Sequence, residues 1–188
     1  MAKRLLLIID PQFDFIEGSL KVDGAKDKMY KLSMYLYSKK NEYDAIAFTV
    51  DFHPSTHCSF EENGGDWPMH CVQHSRGASI FNTLLNVAIE TKLPLHFFTK
   101  GTNDEKEEYS VFKNEKSKEK LLGLIEAMGI EEIDICGIAY DYCVGDTIKD
   151  AVKLGLKDKI NVLKEYCPSI GEGKEMDTFL EDEGINVI

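Results

Sequence analysis

The chain has 188 residues, 43% hydrophobic and 29% charged, a composition that predicts one globular domain over 1–188 able to fold without disulfides or structural metal. Its 33 acidic residues against 22 basic ones leave a formal net charge of −11, which argues against nucleic acid or an anionic membrane as partner. Five cysteines, an odd number, point to a reducing cytoplasmic setting rather than a disulfide framework.

Residues 4–10, RLLLIID, form a continuous apolar run, as in a strand buried on both faces. The run stops at Asp10, short of the roughly 7–15 apolar residues of an export signal. No later stretch is long enough to span a bilayer. A helix is predicted over 26–40, with Met29, Leu32, Met34, Tyr35 and Leu36 as its apolar face. AIAFTVD (45–51) is the second strand, and a helix over 80–91 carries Leu84, Leu85 and Val87. LHFFTK (95–100) is the third strand, and a helix over 118–128 leads into the fourth, EIDICG (132–137). GIAYDYCVGD then puts Cys143 on the first turn of a helix continued by Ile148, Val152 and Leu154. INVLKE (160–165), a helix over 174–183 and a short strand INVI (185–188) complete the chain.

Such alternation predicts an α/β fold: a three-layer, Rossmann-like parallel sheet of about six strands in the order 3-2-1-4-5-6, with helices on both faces. Two loops, 52–77 and 101–114, are long enough to be functional.

Ligands of open parallel sheets bind beyond the carboxyl ends of the strands. Strand one ends there in Asp10, strand two in Asp51 and strand three in Lys100, while strand four leads to Cys143. Taken singly, each has an ordinary explanation: a turn aspartate, a solvated lysine, an inert thiol. Their convergence on one edge favours chemistry. A helix start and a nearby cation lower a thiol's pKa, Asp10 can accept its proton, and backbone N–H groups at the turn can hold an oxyanion.

The 52–77 loop carries a second constellation. Asp51 and His53 lie two apart, so in extended backbone their side chains point the same way. His57 and His70 follow in the same loop. A set of three histidines and one aspartate suits one divalent ion such as zinc, iron or manganese, with water completing its shell. His57 has a competing reading as a turn cap. A structural zinc site from His57-Cys58 and His70-Cys71 is weak, because adjacent side chains diverge and no C-x-x-C spacing is present. His74, His96, Cys136 and Cys167 read as ordinary structural residues.

With these pieces assembled, the chain resembles the isochorismatase-like cysteine hydrolases, and within them the nicotinamidase/pyrazinamidase branch. DPQFDFIEGSL is similar to the family's first-strand signature, DFHPSTH running into WPMHCVQ to its metal loop, TKG to its lysine segment and GIAYDYCV to its nucleophile turn. The resemblance implies Asp10, Lys100 and Cys143 as catalytic residues and an oxyanion hole at the backbone N–H groups of Ala139 and Cys143. It implies a cis peptide at Ile138–Ala139, Phe15 and Trp67 against the substrate, and Asp51, His53, His57 and His70 at the metal. Nicotinamide is the implied partner, the reaction a hydrolysis to nicotinate and ammonia in NAD salvage, and a homo-oligomer stays open. Two departures stand out: Tyr140 replaces a small polar residue, implying a changed pocket rim, and WPMH replaces the commoner WPPH.

Three other readings compete. One is a different hydrolase of the family, acting on a ureide, a carbamoyl compound or isochorismate. A non-catalytic Rossmann-like binding module lacks the G-x-G-x-x-G that a dinucleotide site requires after strand one. A redox thiol protein lacks a resolving C-x-x-C partner.

Overall fold

A computed structural model describes residues 2–188. Six strands, β1 (Arg4–Ile9), β2 (Ala45–Asp51), β3 (Leu95–Lys100), β4 (Glu132–Gly137), β5 (Ile160–Val162) and β6 (Asn186–Val187), form one sheet in the order β3-β2-β1-β4-β5-β6. Every pairing is parallel, as the alternating sequence pattern predicts. The central strands are mostly apolar because both faces are covered: β2 is buried along its whole length, and β1 at every residue after Arg4.

The helices are α1 (Phe13–Ile16), α2 (Ala25–Lys39), α3 (Asn82–Thr91), α4 (Glu115–Met128), α5 (Gly145–Lys153) and α6 (Lys174–Glu183). Crossovers between parallel strands are right-handed. The chain steps from β1 to β3 in one direction and from β4 to β6 in the other, so α2 and α3 cover one face and α4, α5 and α6 the other. None of the described helices is long and apolar enough to cross a membrane.

Two expectations need correction. Met34 is 74% exposed, and α2 instead buries Ala25, Met29, Leu32, Ser33 and Leu36. That set follows the i, i+4, i+7 stripe of one helix face, and Met34 falls well round from it. The fifth strand ends at Val162, because residues 164–166 turn into a short helical segment.

Strand order reverses between β1 and β4, and the register there brings Ile9 opposite Gly137. Gly137 has φ +124°, and a Cβ on it would lie 2.1 Å from the Ile9 carbonyl oxygen. Only glycine lets the two strand ends approach this closely. Asp10, the next residue, takes φ +45°, held by its N–H to the Thr49 carbonyl and by the Thr49 hydroxyl on its carboxylate at 2.7 Å.

Gly137→Ala is therefore expected to cost about 3 kcal/mol, since it adds a backbone clash to a disfavoured φ. Gly24, with φ +73° and open space around it, isolates the conformational part, and Gly24→Ala should cost only about 1 kcal/mol. Denaturant midpoints of the two variants check the contrast.

Candidate active site

At the carboxyl edge, Lys100 is fully buried, with its ammonium 2.8 Å from Asp10 Oδ2, 2.5 Å from Asp51 Oδ1 and 3.3 Å from Cys143 Sγ. The register of β2 against β3 sets Asp51 beside Lys100, and β1 brings Asp10 from the other side. One ligand atom each from Asp10, Asp51 and Cys143 lies within 4.8 Å of the others.

Burial alone would lower the lysine's pKa, but Asp10, Asp51 and Cys143 outweigh it and hold Lys100 well above the ordinary value. Burial pushes Asp10 up to about 6, against the pull of Lys100 and with help from Asp51. Burial would also raise Asp51, yet Lys100 and His53 hold it well below the usual carboxylate range. The Cys143 thiol is raised well above its ordinary value, because burial and the two carboxylates outweigh Lys100. Burial thus works against a standing thiolate, and Asp10, within 4.8 Å, is the group placed to take the proton.

Cys143 lies in the turn that precedes the regular helix. Residues Tyr140–Val144 form a π turn, with the Val144 N–H reaching back to the Ala139 carbonyl, and α5 begins only at Gly145. Such π insertions gather at functional sites because they re-aim a side chain. The Ile138–Ala139 peptide bond that leads into the turn is cis. Ala139 and Cys143 line a cleft together with Phe15, Trp67, Tyr109, Asp51 and His70.

Asp51, His53 and His70 form a second buried group, sharing Asp51 with the first, whose ligand atoms lie within 4.8 Å of one another. His53 Nδ1 is 2.8 Å from the Gly101 carbonyl and His70 Nδ1 is 2.8 Å from the Pro68 carbonyl. A carbonyl can only accept, so in its neutral form each ring carries its proton on Nδ1 and presents an Nε2 lone pair. Two imidazole lone pairs and a carboxylate whose negative charge adds to that of Asp10 fit a divalent cation, so this donor set passes the test of its own chemistry.

His57 stands outside the group. Its Nδ1 accepts from the Ser59 N–H at 3.2 Å and pairs with the Ser59 hydroxyl at 2.7 Å, which leaves Nε2 to donate to the Lys106 carbonyl at 3.2 Å. Both nitrogens are committed, and no lone pair remains for a metal. The ring packs against His53 with centroids 4.1 Å apart, a supporting contact rather than a ligand position.

Gly101 is where lysine and metal group meet. Its φ is +60°, and a Cβ there would fall 2.3 Å from His53 Cε1. The rival His57-Cys58 and His70-Cys71 arrangement does not assemble among the described residues.

Several contributors escaped the sequence reading. Tyr109 accepts from Trp67 Nε1 at 2.9 Å, and Tyr142 packs edge-on to both rings. Tyr142 adjoins Cys143, and Tyr109 lies in the long 101–114 loop, so their neighbourhoods were marked though their roles were not. Asp141 accepts the Ile170 and Gly171 N–H groups and fixes a segment that touches the cleft. Gln12, fully buried, clamps the Asp51 backbone by accepting its N–H at 2.7 Å and donating to its carbonyl at 2.7 Å. Tyr140, expected at the rim, is buried away from it, with its hydroxyl donating to Asp177 at 2.6 Å.

Comparison with known proteins agrees with this geometry. The isochorismatase domain family matches residues 4–176. The nicotinamidase/pyrazinamidase of Mycobacterium tuberculosis is 36% identical over 85% of this chain and 84% of its own. The nicotinamidase of Escherichia coli is 32% identical over 90% and 85%. The crystal structure of the Pyrococcus horikoshii pyrazinamidase in complex with zinc superposes with a TM-score of 0.84 at 30% identity, covering 99% of this chain and 98% of that one. From the order of its strands to the extent of these matches, the chain belongs to the isochorismatase family.

Proposed function

We propose that this chain is a nicotinamidase, an enzyme of one domain that hydrolyses nicotinamide to nicotinate and ammonia through a thioester on Cys143. The observation that carries the reading is the buried Lys100, shared by Asp10, Asp51 and Cys143 directly beside a three-ligand metal group. A hydrolase of simple amides needs the first cluster. A pyridine carboxamide, whose ring nitrogen can meet a cation while its amide meets the thiol, explains both. The relatives' names support the same substrate class.

Phe15 and Trp67 both line the cleft and are the aromatic residues to flank a planar ring, with Tyr109 and Tyr142 bracing the indole. Asp10 takes the Cys143 proton as the sulfur attacks the amide carbon, so the thiolate forms only with substrate in place. The carbonyl oxygen moves into the backbone N–H groups of Ala139 and Cys143 as it gains charge. Asp10 then returns the proton to the leaving nitrogen, and ammonia departs. A water that gives its proton to Asp10 attacks the thioester, the C–S bond breaks, the sulfur regains the proton from Asp10, and nicotinate is released. Lys100 keeps Asp10 from rising further and so keeps it ionised near neutral pH.

Asp51, His53 and His70 would hold a divalent ion, which supplies a Lewis-acid contact for the pyridine nitrogen when bound. The P. horikoshii structure with zinc and the two imidazole donors support zinc as that ion. All five cysteines are free thiols, and the reading places the enzyme in the reducing cytoplasm, supplying nicotinate to NAD salvage.

Cys143→Ala should lower kcat/KM for nicotinamide by roughly 10³-fold or more while leaving substrate binding, measured by calorimetry, close to normal. Cys136→Ala should keep its activity and lose only stability. A reversal of the two effects would reject Cys143 as nucleophile.

The acid limb of kcat/KM should fall near the Asp10 value of about 6, because the base works only when ionised. Lys100→Met removes the cation that opposes burial at Asp10, so the limb should move to higher pH as activity drops. A pH–rate profile with an unmoved limb would deny Lys100 this role.

Chelation, and His53→Ala, should remove metal and nicotinamide hydrolysis together, whereas His74→Ala should lose neither. Benzamide, which lacks the ring nitrogen, should be a poor substrate of the metal-loaded enzyme. Equal rates on nicotinamide and benzamide, or full activity without metal, would favour a metal-independent relative.

A further inference from the structure

The first-strand motif DPQFDF uses every second residue: Asp10 in the charge cluster, Gln12 on the backbone of Asp51, and Asp14 on the opposite half of the metal group. The mechanism leaves Asp14 without a task. Its carboxylate lies at the turn of α1, outside the cleft, yet it is surrounded by devices that keep it in place. Oδ2 accepts the Cys71 N–H at 2.7 Å, and Oδ1 accepts the Ser19 N–H at 3.3 Å. The Ser19 hydroxyl in turn donates to the Met69 carbonyl at 2.7 Å. His70 is therefore bracketed: the residue after it is bound by Asp14 directly, and the residue before it through Ser19.

Two glycines make room for this carboxylate. A Cβ on Gly18 would lie 2.1 Å from Asp14 Oδ1, and one on Gly77 would lie 1.9 Å from Oδ2. The Asp14 N–H also donates to the Gly77 carbonyl at 3.1 Å, closing the loop against α1 from its far end. Cys71 adopts φ +47°, a conformation residues with a Cβ seldom take without being held. The Asp14 contact on its N–H is the hold next to that residue. Phe15, the next residue along, touches the His70 ring with centroids 5.5 Å apart, so α1 grips backbone and side chain alike.

We propose that Asp14 is a positioning residue for the metal group, fixing the backbone on both sides of His70 so that its Nε2 points at the site shared with Asp51 and His53. This rests on the metal-binding part of the proposed function but concerns residues that touch neither metal nor substrate. Partners one bond removed from a ligand commonly set affinity by orienting it.

The test is equilibrium binding of zinc and of cobalt(II) to metal-free protein, with thermal melting of the same samples. Asp14→Ala should weaken zinc binding by about 10–100-fold and alter the cobalt(II) absorption bands. Asp14→Asn keeps a carbonyl for the Cys71 N–H and should recover most of the affinity. A purely structural role would lower the melting temperature yet leave affinity and spectrum as in the wild type, and that result overturns the proposal. Should Asp14→Ala fail to fold, Ser19→Ala, which frees only the Met69 side, replaces it. A smaller loss of affinity is then expected, and unchanged affinity counts against the proposal. Wild-type protein that takes up neither metal overturns this inference and the metal-dependent reading together. Wild-type binding with an unaffected Asp14 variant overturns the inference alone.

Discussion

A buried ammonium is tolerable only where opposite charge meets it, and Lys100 is met by the carboxylates of Asp10 and Asp51, with the Cys143 sulfur as a third hydrogen-bond partner. Much else in the structure serves that meeting. The lysine must leave β3 at its last residue, Asp51 must stand opposite it in register, and Asp10 must be turned inward by a left-handed backbone. Gly137 must let β4 close on β1 so that the π turn delivers the sulfur. Removing the lysine would strand two buried carboxylates, so the arrangement stands or falls as a unit.

The same lysine is tied to the metal group through Gly101. That glycine ends the lysine's segment, accepts the His53 proton and donates its own N–H to Glu108 at 2.9 Å. Asp51 belongs to both clusters, one oxygen toward Lys100 and the other 3.7 Å from His53 Nε2. A cation there would act on the proposed acid–base chemistry through Asp51, and a change in either cluster should be felt in the other.

Much of this was legible beforehand. Short apolar-rich runs marked the strands, with the bounds of β2, β3 and β4 matching residue for residue. The plainest were β1 and β2, because a strand buried on both faces admits few polar residues, whereas β3 lies half exposed at the sheet edge. The carboxyl-edge rule then brought Asp10, Asp51, Lys100 and Cys143 together before any coordinates. Misreadings came where apolar character lacked a direction. Met34 is as hydrophobic as Met29 but lies on the wrong side of its helix, and Tyr140 and Tyr142 differ only in which way a π turn points them.

The metal loop marks the boundary between the two kinds of information. From the chain alone, the residue types and spacing determined that three histidines and an aspartate could gather in one loop, and that an acid, a lysine and a thiol reach one sheet edge. Which histidines offer a lone pair was decided only by the tertiary structure. His53 and His70 meet carbonyls at Nδ1, whereas His57 meets the N–H of Ser59 there and spends Nε2 on Lys106. An imidazole has one proton to place, and the neighbours that place it are distant in sequence, so spacing along the chain carries no record of the choice.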